Sequence, residues 1–419
     1  MNSTHHPMGE VDIPDGARWG SQTARSLRVF AVGQQRMPLE LIRAMALIKA
    51  EAAQVNGELG LLGAAQANAI CRAAQRVAEG EFEGQFPLPV WQPGSGAHSH
   101  TNVNEVVAQL ARESLPAQSQ SGVDAHADVS CGQAAHDVFP SAMHIAVALQ
   151  MKARLLPAVQ RLQAALLEHA QFTRQQELGG YAAQLASCEA RLWQTLPALH
   201  RLSLCGSADS PVPKAQAEFA AAVTVRLAKR LQLPLLPAES RCSAVNSHEA
   251  LLALHAGLRM LALVLSKIAG SMRLLGRATG TGLGGPELDH PVQLEVLTMV
   301  CAQVMGHDTA IGFAASQGLF ELNTCEPMIA LNVLDSIRLL ADGMQGFAWH
   351  CVSGQTCGLE MLPKAMEDSL LFPSAAMPLG GFGFAASTSP GAAGPPGNGP
   401  MVREPVFHRQ GHSAGAPAP

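Results

Sequence analysis

The stretch that decides the fold reads SHEALLALHAGLRMLALVLSKIAGSMRLL, residues 247–275. Apolar residues lie on nearly every face of the helix that this pattern predicts, which is typical of a helix surrounded by other helices. Ser247 has the side chain to cap the start of this helix. His255 and Arg259 interrupt the stretch, so we expect it to fall short of a membrane span and to form part of a helical core.

The rest of the middle of the chain has the same helical character. A broad apolar stripe over residues 143–171 predicts a long helix that Pro157 kinks. Strand signals are weak throughout. Further helices are predicted at residues 38–56, 64–79, 182–204, 214–231, 292–305 and 327–351. Because long helices that are apolar all round need partner chains to cover them, the pattern favours a mainly α, long-helix bundle that forms a homo-oligomer.

Composition narrows the class of protein. Of the 419 residues 47% are hydrophobic and 15% charged, and the net charge of −5 offers no basic field for a phosphate backbone, so we expect no nucleic-acid partner. Nine cysteines without a C-x-x-C pair favour reduced thiols. The first residues lack a signal-peptide pattern, so we expect a cytoplasmic protein with no membrane partner. Pro and Gly dominate residues 380–419, which predicts disorder there.

Stretches between the predicted helices carry a family resemblance. They are WGSQTARSL (residues 19–27), GSGAHSHTNVNEV (94–106), DVFPSAMH (137–144), FELN (320–323) and IRLLADG (337–343). They resemble the class II fumarases, or fumarate hydratases, of the fumarase/aspartase superfamily, and the resemblance runs from about residue 8 to residue 382.

The resemblance implies a helical protomer that joins three others in a tetrameric bundle. It also implies a carbon–oxygen lyase of the tricarboxylic acid cycle that reversibly hydrates fumarate to malate without metal or organic cofactor. The expected divisions are a helical domain at residues 1–138, the long-helix bundle at 139–372 and a Gly/Pro-rich tail at 373–419. By this resemblance we expect the tail to stand in place of the family's small C-terminal domain.

The first substrate loop of the family reads Gly-Ser-Gly-Thr, in which the hydroxyls hold a carboxylate. Here the loop is Gly94-Ser95-Gly96-Ala97. Ser95 remains, whereas Ala97 has no donor, and His100 stands where the family has an Asn. The alternative interpretation is a glycine turn kept only for its backbone geometry.

The second substrate loop of the family, Ser-Ser-Asn before Asp, has lost its hydroxyls. This chain has Ala134, Ala135 and His136 before Asp137. The family's peripheral dicarboxylate site, His-Pro-Asn-Asp, aligns with Asp124, Ala125, His126 and Ala127. An Asp in place of the His would repel an anion.

The acid/base residues of the family are mostly absent. The element Gly-Arg-Thr-His-Leu-Gln-Asp has no counterpart between residues 170 and 181, so the His that pairs with a Glu is missing. Glu295 fits that Glu, although a lone carboxylate near a helix start is as readily a solvated or capping group. The signature loop Gly-Ser-Ser-x-Met-Pro-x-Lys-x-Asn is excised, and His290 takes the place of its final Asn. Neither the base Ser nor the Lys remains.

Loss of several preorganised donors at once implies little or no fumarase activity, as in a pseudoenzyme. We therefore expect a fumarase-like protein that has fumarate or malate as possible ligands and forms a homotetramer or a mixed assembly with an active homologue. One alternative is a lyase with altered chemistry that uses Glu295 and an introduced histidine such as His136 or His290. Another is a non-catalytic ligand or metal site on loops that we expect to converge. The histidines of that site would be His98, His100, His126, His136 and His290.

Overall fold

The computed structural model describes residues 11–116, 122–173, 176–204, 213–240, 244–245, 247–278, 290–317 and 323–353. The predicted tail at residues 373–419 lies outside these ranges, and the domain divisions remain predictions.

The described chain is built from helices, which confirms the mainly α class. They are α1 Ser21–Val29, α2 Leu39–Glu58, α3 Ala64–Ala78, α4 Ala97–Ser114, α5 Ala135–Gln150, α6 Leu156–Thr173, α7 Gln176–Leu199, α8 Pro213–Leu231, α9 Glu249–Ala278, α10 His290–Ala315 and α11 Glu326–Phe347. A short 3₁₀ turn lies at Glu83–Gln85, and π-helical turns lie at Met151–Leu155 and Ala348–Ser353. Strands β1 Arg201–Leu202 and β2 Leu236–Pro237 pair in parallel.

Three of the differences between the predicted and observed helix boundaries have a local physical reason. The helix predicted at residues 143–171 is divided into α5 and α6 by the π-helical turn, which lies just before Pro157 because proline has no N–H and its ring disturbs the preceding turn. Helix α7 ends at Leu199 rather than at residue 204, since β1 begins at Arg201. Helix α10 continues ten residues past the predicted end, because an isolated glycine such as Gly306 is tolerated inside a well-packed helix.

Helix α9 is the central element of the bundle. It packs against α7, α10 and α11, and the Ser247 hydroxyl accepts the Glu249 N–H at 3.2 Å, as the predicted cap requires. The 25 residues 249–273 include an 18-residue window with a mean hydropathy of 1.7, so by length and composition alone this helix could cross a membrane. The expectation that it falls short is therefore wrong on those two criteria. Within one chain 44% of that window is buried, against α7, α10 and α11.

Helix α2 is the helix around which the N-terminal part of the chain packs, and the candidate site lies in that part. It packs against α3, α4, α5 and α8. The Glu105 carboxylate on α4 accepts the N–H groups of Gly20, Gln22 and Thr23 at 2.8, 3.0 and 3.1 Å and the Thr23 hydroxyl at 2.6 Å. This carboxylate therefore caps α1 and fixes it to α4. Free cysteines of the described part are Cys71, Cys131, Cys188, Cys301 and Cys325, in line with the expected reduced thiols.

Candidate functional site

The first loop is held tightly by its glycines. The Gly94 carbonyl accepts the N–H of Glu326 at 3.0 Å, and a Cβ at Gly94 would overlap the backbone of Thr324. Gly96 has a left-handed φ of +65°, and a Cβ there would overlap the Phe139 ring. Both glycines are therefore required by backbone geometry, whatever their role toward a ligand.

Ser95 and Ala97 contribute little polar chemistry to this loop. Ser95 is half-buried, and no hydrogen bond of its hydroxyl occurs within the described residues. Ala97 begins α4 directly after Gly96, and the N-terminus of α4 has no side-chain cap. The Ser99 N–H of this first helical turn donates to Gln92 Oε1 at 3.1 Å, so among the described residues the N–H groups of Ala97 and His98 are the backbone donors that remain at the loop.

His98 does not join the other histidines. Its Nδ1 lies 2.7 Å from the Ser26 hydroxyl oxygen, and its ring contacts Phe30 edge-on with the ring centroids 4.8 Å apart. Because the Ser26 hydroxyl also lies 2.9 Å from the Gln22 carbonyl, to which it donates, His98 donates from Nδ1 to Ser26. His98 therefore packs against α1, and the expected convergence is wrong for this residue.

His100 faces inward and contacts a buried lysine. Its side chain is 4% exposed, and Lys49 on α2 is fully buried. The Lys49 Nζ lies 3.0 Å from His100 Nε2 and 3.5 Å from Gln133 Oε1. His100 follows the first loop and Gln133 directly precedes the second, so the contacts of Lys49 join the two loops.

Burial shifts the pKa values of both groups in this contact. Removal of the ammonium from water lowers the pKa of Lys49 to about 7, and the charge of Asp137 partly opposes the shift. Burial also holds the pKa of His100 well below its usual value, and the positive charges of Lys49, His126 and His136 add to the effect. His126 and His136 are thus close enough to act on His100, as expected of two of the predicted histidines.

The second loop forms the start of α5. Ala134 is the N-cap residue and Ala135 begins the helix, while Asp137 Oδ1 accepts the Ala134 N–H at 3.0 Å. Asp137 is therefore a capping carboxylate. The two alanines offer no hydroxyl to a ligand, and the half-buried His136 is the polar side chain between them and Asp137.

The peripheral loop closes on itself. Asp124 Oδ1 accepts the N–H groups of Ala127 at 2.6 Å and His126 at 2.8 Å. These bonds, the one from Ala127 foremost, lower the pKa of Asp124. An ionised Asp124 that holds its own turn agrees with the expected repulsion of an anion, which remains a prediction. Ala125 packs against the core and offers no polar group.

Within one chain, Glu295 has no described contact with the histidines of the two loops. It is exposed on α10, and among the described residues neither a hydrogen bond nor an ion pair joins it to His100 or His136. His290 begins α10, but its side chain lies outside the described part. Residues 174–175 and 279–289, next to the two expected excisions, also lie outside it.

The histidines do not form a metal site in the part of the chain that the structure describes. No group of three His, Cys, Asp or Glu side chains there is placed to hold an ion. The metal alternative therefore lacks the required side-chain geometry at His98, His100, His126 and His136.

Sequence reasoning missed two buried ionisable residues. Lys49 is the only charged residue between Arg43 and Glu51 and is in helical phase with the buried Met45, a signal that placed it on the core face. Glu326 begins α11 against Gly94 and is fully buried.

Only one of the two oxygens of the Glu326 carboxyl has a hydrogen-bond partner among the described residues. Its Oε1 accepts from Asn323 Nδ2 at 2.7 Å, whereas Oε2 has no hydrogen-bond partner among the described residues. Burial raises its pKa to about 8, against the opposing effect of the Asn323 bond.

Comparison with known proteins agrees with this architecture. A family model described as Lyase matches residues 9–175 and 172–306. A class II fumarate hydratase of Chromobacterium violaceum is 39% identical over 92% of this chain and 91% of its own length. That of Pseudomonas syringae pv. tomato is 41% identical over 88% of this chain and 87% of its own length.

Solved structures give the same result. A class II fumarase from Schistosoma mansoni superposes with a TM-score of 0.80 at 29% identity, covering 88% of each chain. A fumarate lyase:delta crystallin from Brucella melitensis reaches 0.81 at 29% identity, covering 91% of this chain and 90% of its own. The long-helix bundle, the sequence identity and the matched loops lead to one conclusion: the chain belongs to the class II fumarate hydratases of the fumarase/aspartase superfamily.

Proposed function

We propose that this chain is a fumarase-like subunit that binds fumarate or malate but hydrates fumarate slowly or not at all. Hydration and its reverse need a base for the proton beside a carboxylate and fixed donors for the dianionic intermediate. The observation that carries the proposal is that Ala97, Ala134 and Ala135 occupy the donor positions of the two loops. Methyl groups cannot stabilise an oxyanion.

Two of the introduced histidines already have hydrogen-bond partners. His100 Nε2 is already engaged by Lys49, and His98 Nδ1 by Ser26. Glu295 has no described histidine partner in its own chain. Loss of one preorganised donor costs about a hundred- to a thousandfold in rate, so loss of several supports a decrease of about 10⁴-fold or more.

The features that remain favour binding. Among the described residues the N–H groups of Ala97 and His98 at the start of α4 have no partner, and Lys49 places an amino group that can be protonated beside both loops. Helix N-termini and buried cations both favour carboxylates. The site is therefore proposed to hold a dicarboxylate without the groups that transform it.

The test is a fumarate absorbance assay of the purified full chain, beside an active class II fumarase and a mock preparation from cells that carry the empty vector. We expect a rate indistinguishable from the mock preparation, and no change in Glu295→Gln. A rate within a hundredfold of the active enzyme would contradict the proposal. A measurable rate that Glu295→Gln abolishes would favour the lyase with altered chemistry.

We also propose assembly into a homotetramer, or a mixed tetramer with an active homologue. Helices α9 and α10 expose Leu263, Met299 and Phe313 to 52%, 64% and 68%, so an apolar face of the bundle is uncovered in one chain. Light scattering after size exclusion should give four protomers. A monodisperse monomer would contradict this.

A further inference from the structure

Lys49 lies in an unusual position for a lysine. Its ammonium is sealed from solvent between α2, α4 and the turn before α5, with His100 Nε2 at 3.0 Å and Gln133 Oε1 at 3.5 Å. Gln133 is fixed in turn, because its Nε2 donates to the Val129 carbonyl at 3.1 Å. Lys49 is therefore anchored to both loops of the site through neutral partners.

The Lys49–His100 contact can be made with either group as the donor. When Lys49 is an ammonium it donates to His100 Nε2, so His100 carries its proton on Nδ1. Asn104 lies 3.5 Å from that Nδ1, and its Oδ1 has no other partner in the described part, so a turn of the amide lets it accept. When Lys49 is a neutral amine it accepts from Nε2–H, and the Asn104 amide nitrogen then donates to Nδ1. One proton can therefore enter or leave while the Lys49–His100 hydrogen bond is kept.

The charged groups around Lys49 leave its protonation sensitive to the charge of a bound ligand. From α5, Asp137 is the carboxylate that acts on Lys49, and its Oδ1 is already bound by the Ala134 N–H. The charges of His126 and His136 lower the pKa of His100, which is the hydrogen-bond partner of Lys49. From α8, Arg230 forms an ion pair with Glu51 at 3.0 Å. Facing α2 from α3 are six buried apolar residues and Cys71.

We propose that Lys49 takes up a proton when a dicarboxylate binds at the two loops, and that this proton sets the affinity of the site. The inference rests on the proposed function, because it requires a ligand at that site. The proton comes from solvent and forms the third N–H bond of the ammonium, and no other bond changes. A pKa of Lys49 near 7 in the free protein supports a partly neutral amine at physiological pH.

Linkage gives the expected size of the effect. With the amine mostly neutral at pH 8, binding should take up close to one proton, and affinity should fall about tenfold for each further pH unit. The experiment is calorimetric titration of the full chain with L-malate at pH 8 in phosphate and in Tris, whose ionisation enthalpies differ. We expect the two apparent enthalpies to differ by about that difference in buffer enthalpy.

Three variants assign the proton to Lys49. Lys49→Arg keeps a cation at every pH, so it should bind without proton uptake and without pH dependence. Lys49→Met should bind weakly at every pH, whereas Lys229→Met, at an exposed lysine on α8, should behave as wild type. Circular dichroism checks folding, and the wild-type comparison in two buffers stands without any variant.

The remaining outcomes distinguish a failure of the role proposed for Lys49 from a failure of the proposed function. Binding with equal enthalpies in the two buffers would overturn the role of Lys49 and leave the proposed function intact. Unchanged proton uptake in Lys49→Arg would also overturn it, because another group would then hold the proton. Absence of malate and fumarate binding would overturn both the inference and the binding half of the proposed function.

Discussion

Glu326→Gln should stabilise the protein in a pH-dependent manner. The Glu326 carboxyl is fully buried, Oε2 has no hydrogen-bond partner among the described residues, and burial raises its pKa from 4.5 to about 8. Between those two values the folded chain holds a proton that the unfolded chain releases. The free energy of unfolding therefore decreases as pH rises through this window and is unaffected below it.

The size of the effect follows from the shift. Each pH unit in the window costs about 1.4 kcal/mol, so the wild type should lose about 3 kcal/mol by pH 7 and about 5 kcal/mol above pH 8. Glutamine is neutral throughout and keeps an oxygen for the Asn323 amide. Its second amide group lacks a described partner, as does the protonated carboxyl, so this cost nearly cancels between the two proteins.

The assay is urea unfolding of both proteins at pH 5, 6, 7 and 8, at one protomer concentration. The difference between variant and wild type should grow with pH, since the other titrating groups cancel. Glu168→Gln, at an exposed position on α6, is the matched control and should stay within about 0.5 kcal/mol at every pH. A Glu326→Gln difference that stays constant from pH 5 to pH 8 would show that the Glu326 carboxyl does not cause the pH dependence of stability.

Three further changes test the packing around the site, each by its unfolding midpoint. Gly96→Ala adds left-handed strain and an overlap with Phe139, so it should cost about 2–4 kcal/mol, whereas Gly60→Ala, with a φ of +72° and open space, should show only about 1 kcal/mol of strain. Glu105→Ala leaves three backbone N–H groups at the start of α1 without their acceptor and should cost about 3 kcal/mol; a change below about 1 kcal/mol would contradict the capping role. Burial lowers the pKa of His255 from 6.5, so the unfolded chain binds the proton first and stability should fall as pH drops below that value. His255→Gln should flatten this acid limb, and an unchanged slope would count against it.

The fold could be predicted from the sequence because apolar spacing directly reports which helix faces are covered. Residues 247–275 already indicated a helix inside a bundle, and α9 occupies nearly that range. Helix ends were less predictable: Gly306 did not end α10, because packing compensates the low helix propensity of one glycine.

The site was only partly predictable for a different reason. Loop matches alone predict a loss of donors at Ala97, Ala134 and Ala135. Sequence spacing says nothing about which polar groups meet across helices, so the Lys49–His100 contact and the turn of His98 toward Ser26 required coordinates. A lysine on the apolar face of a helix can be recognised in the sequence, but the residue that it contacts cannot.

The central claim is that the fold is kept while the proton-abstracting chemistry is lost. The most direct measurement is incubation of L-malate with the purified full chain in D₂O, followed by NMR of the C3 protons over days. We predict that deuterium enters C3 at least about 10⁴-fold more slowly than with an active class II fumarase at the same protomer concentration, although malate binds. Exchange at C3 within about a hundredfold of that active enzyme, at a rate that scales with chain concentration and persists in tag-free protein from a fumarase-deficient host, would contradict this prediction.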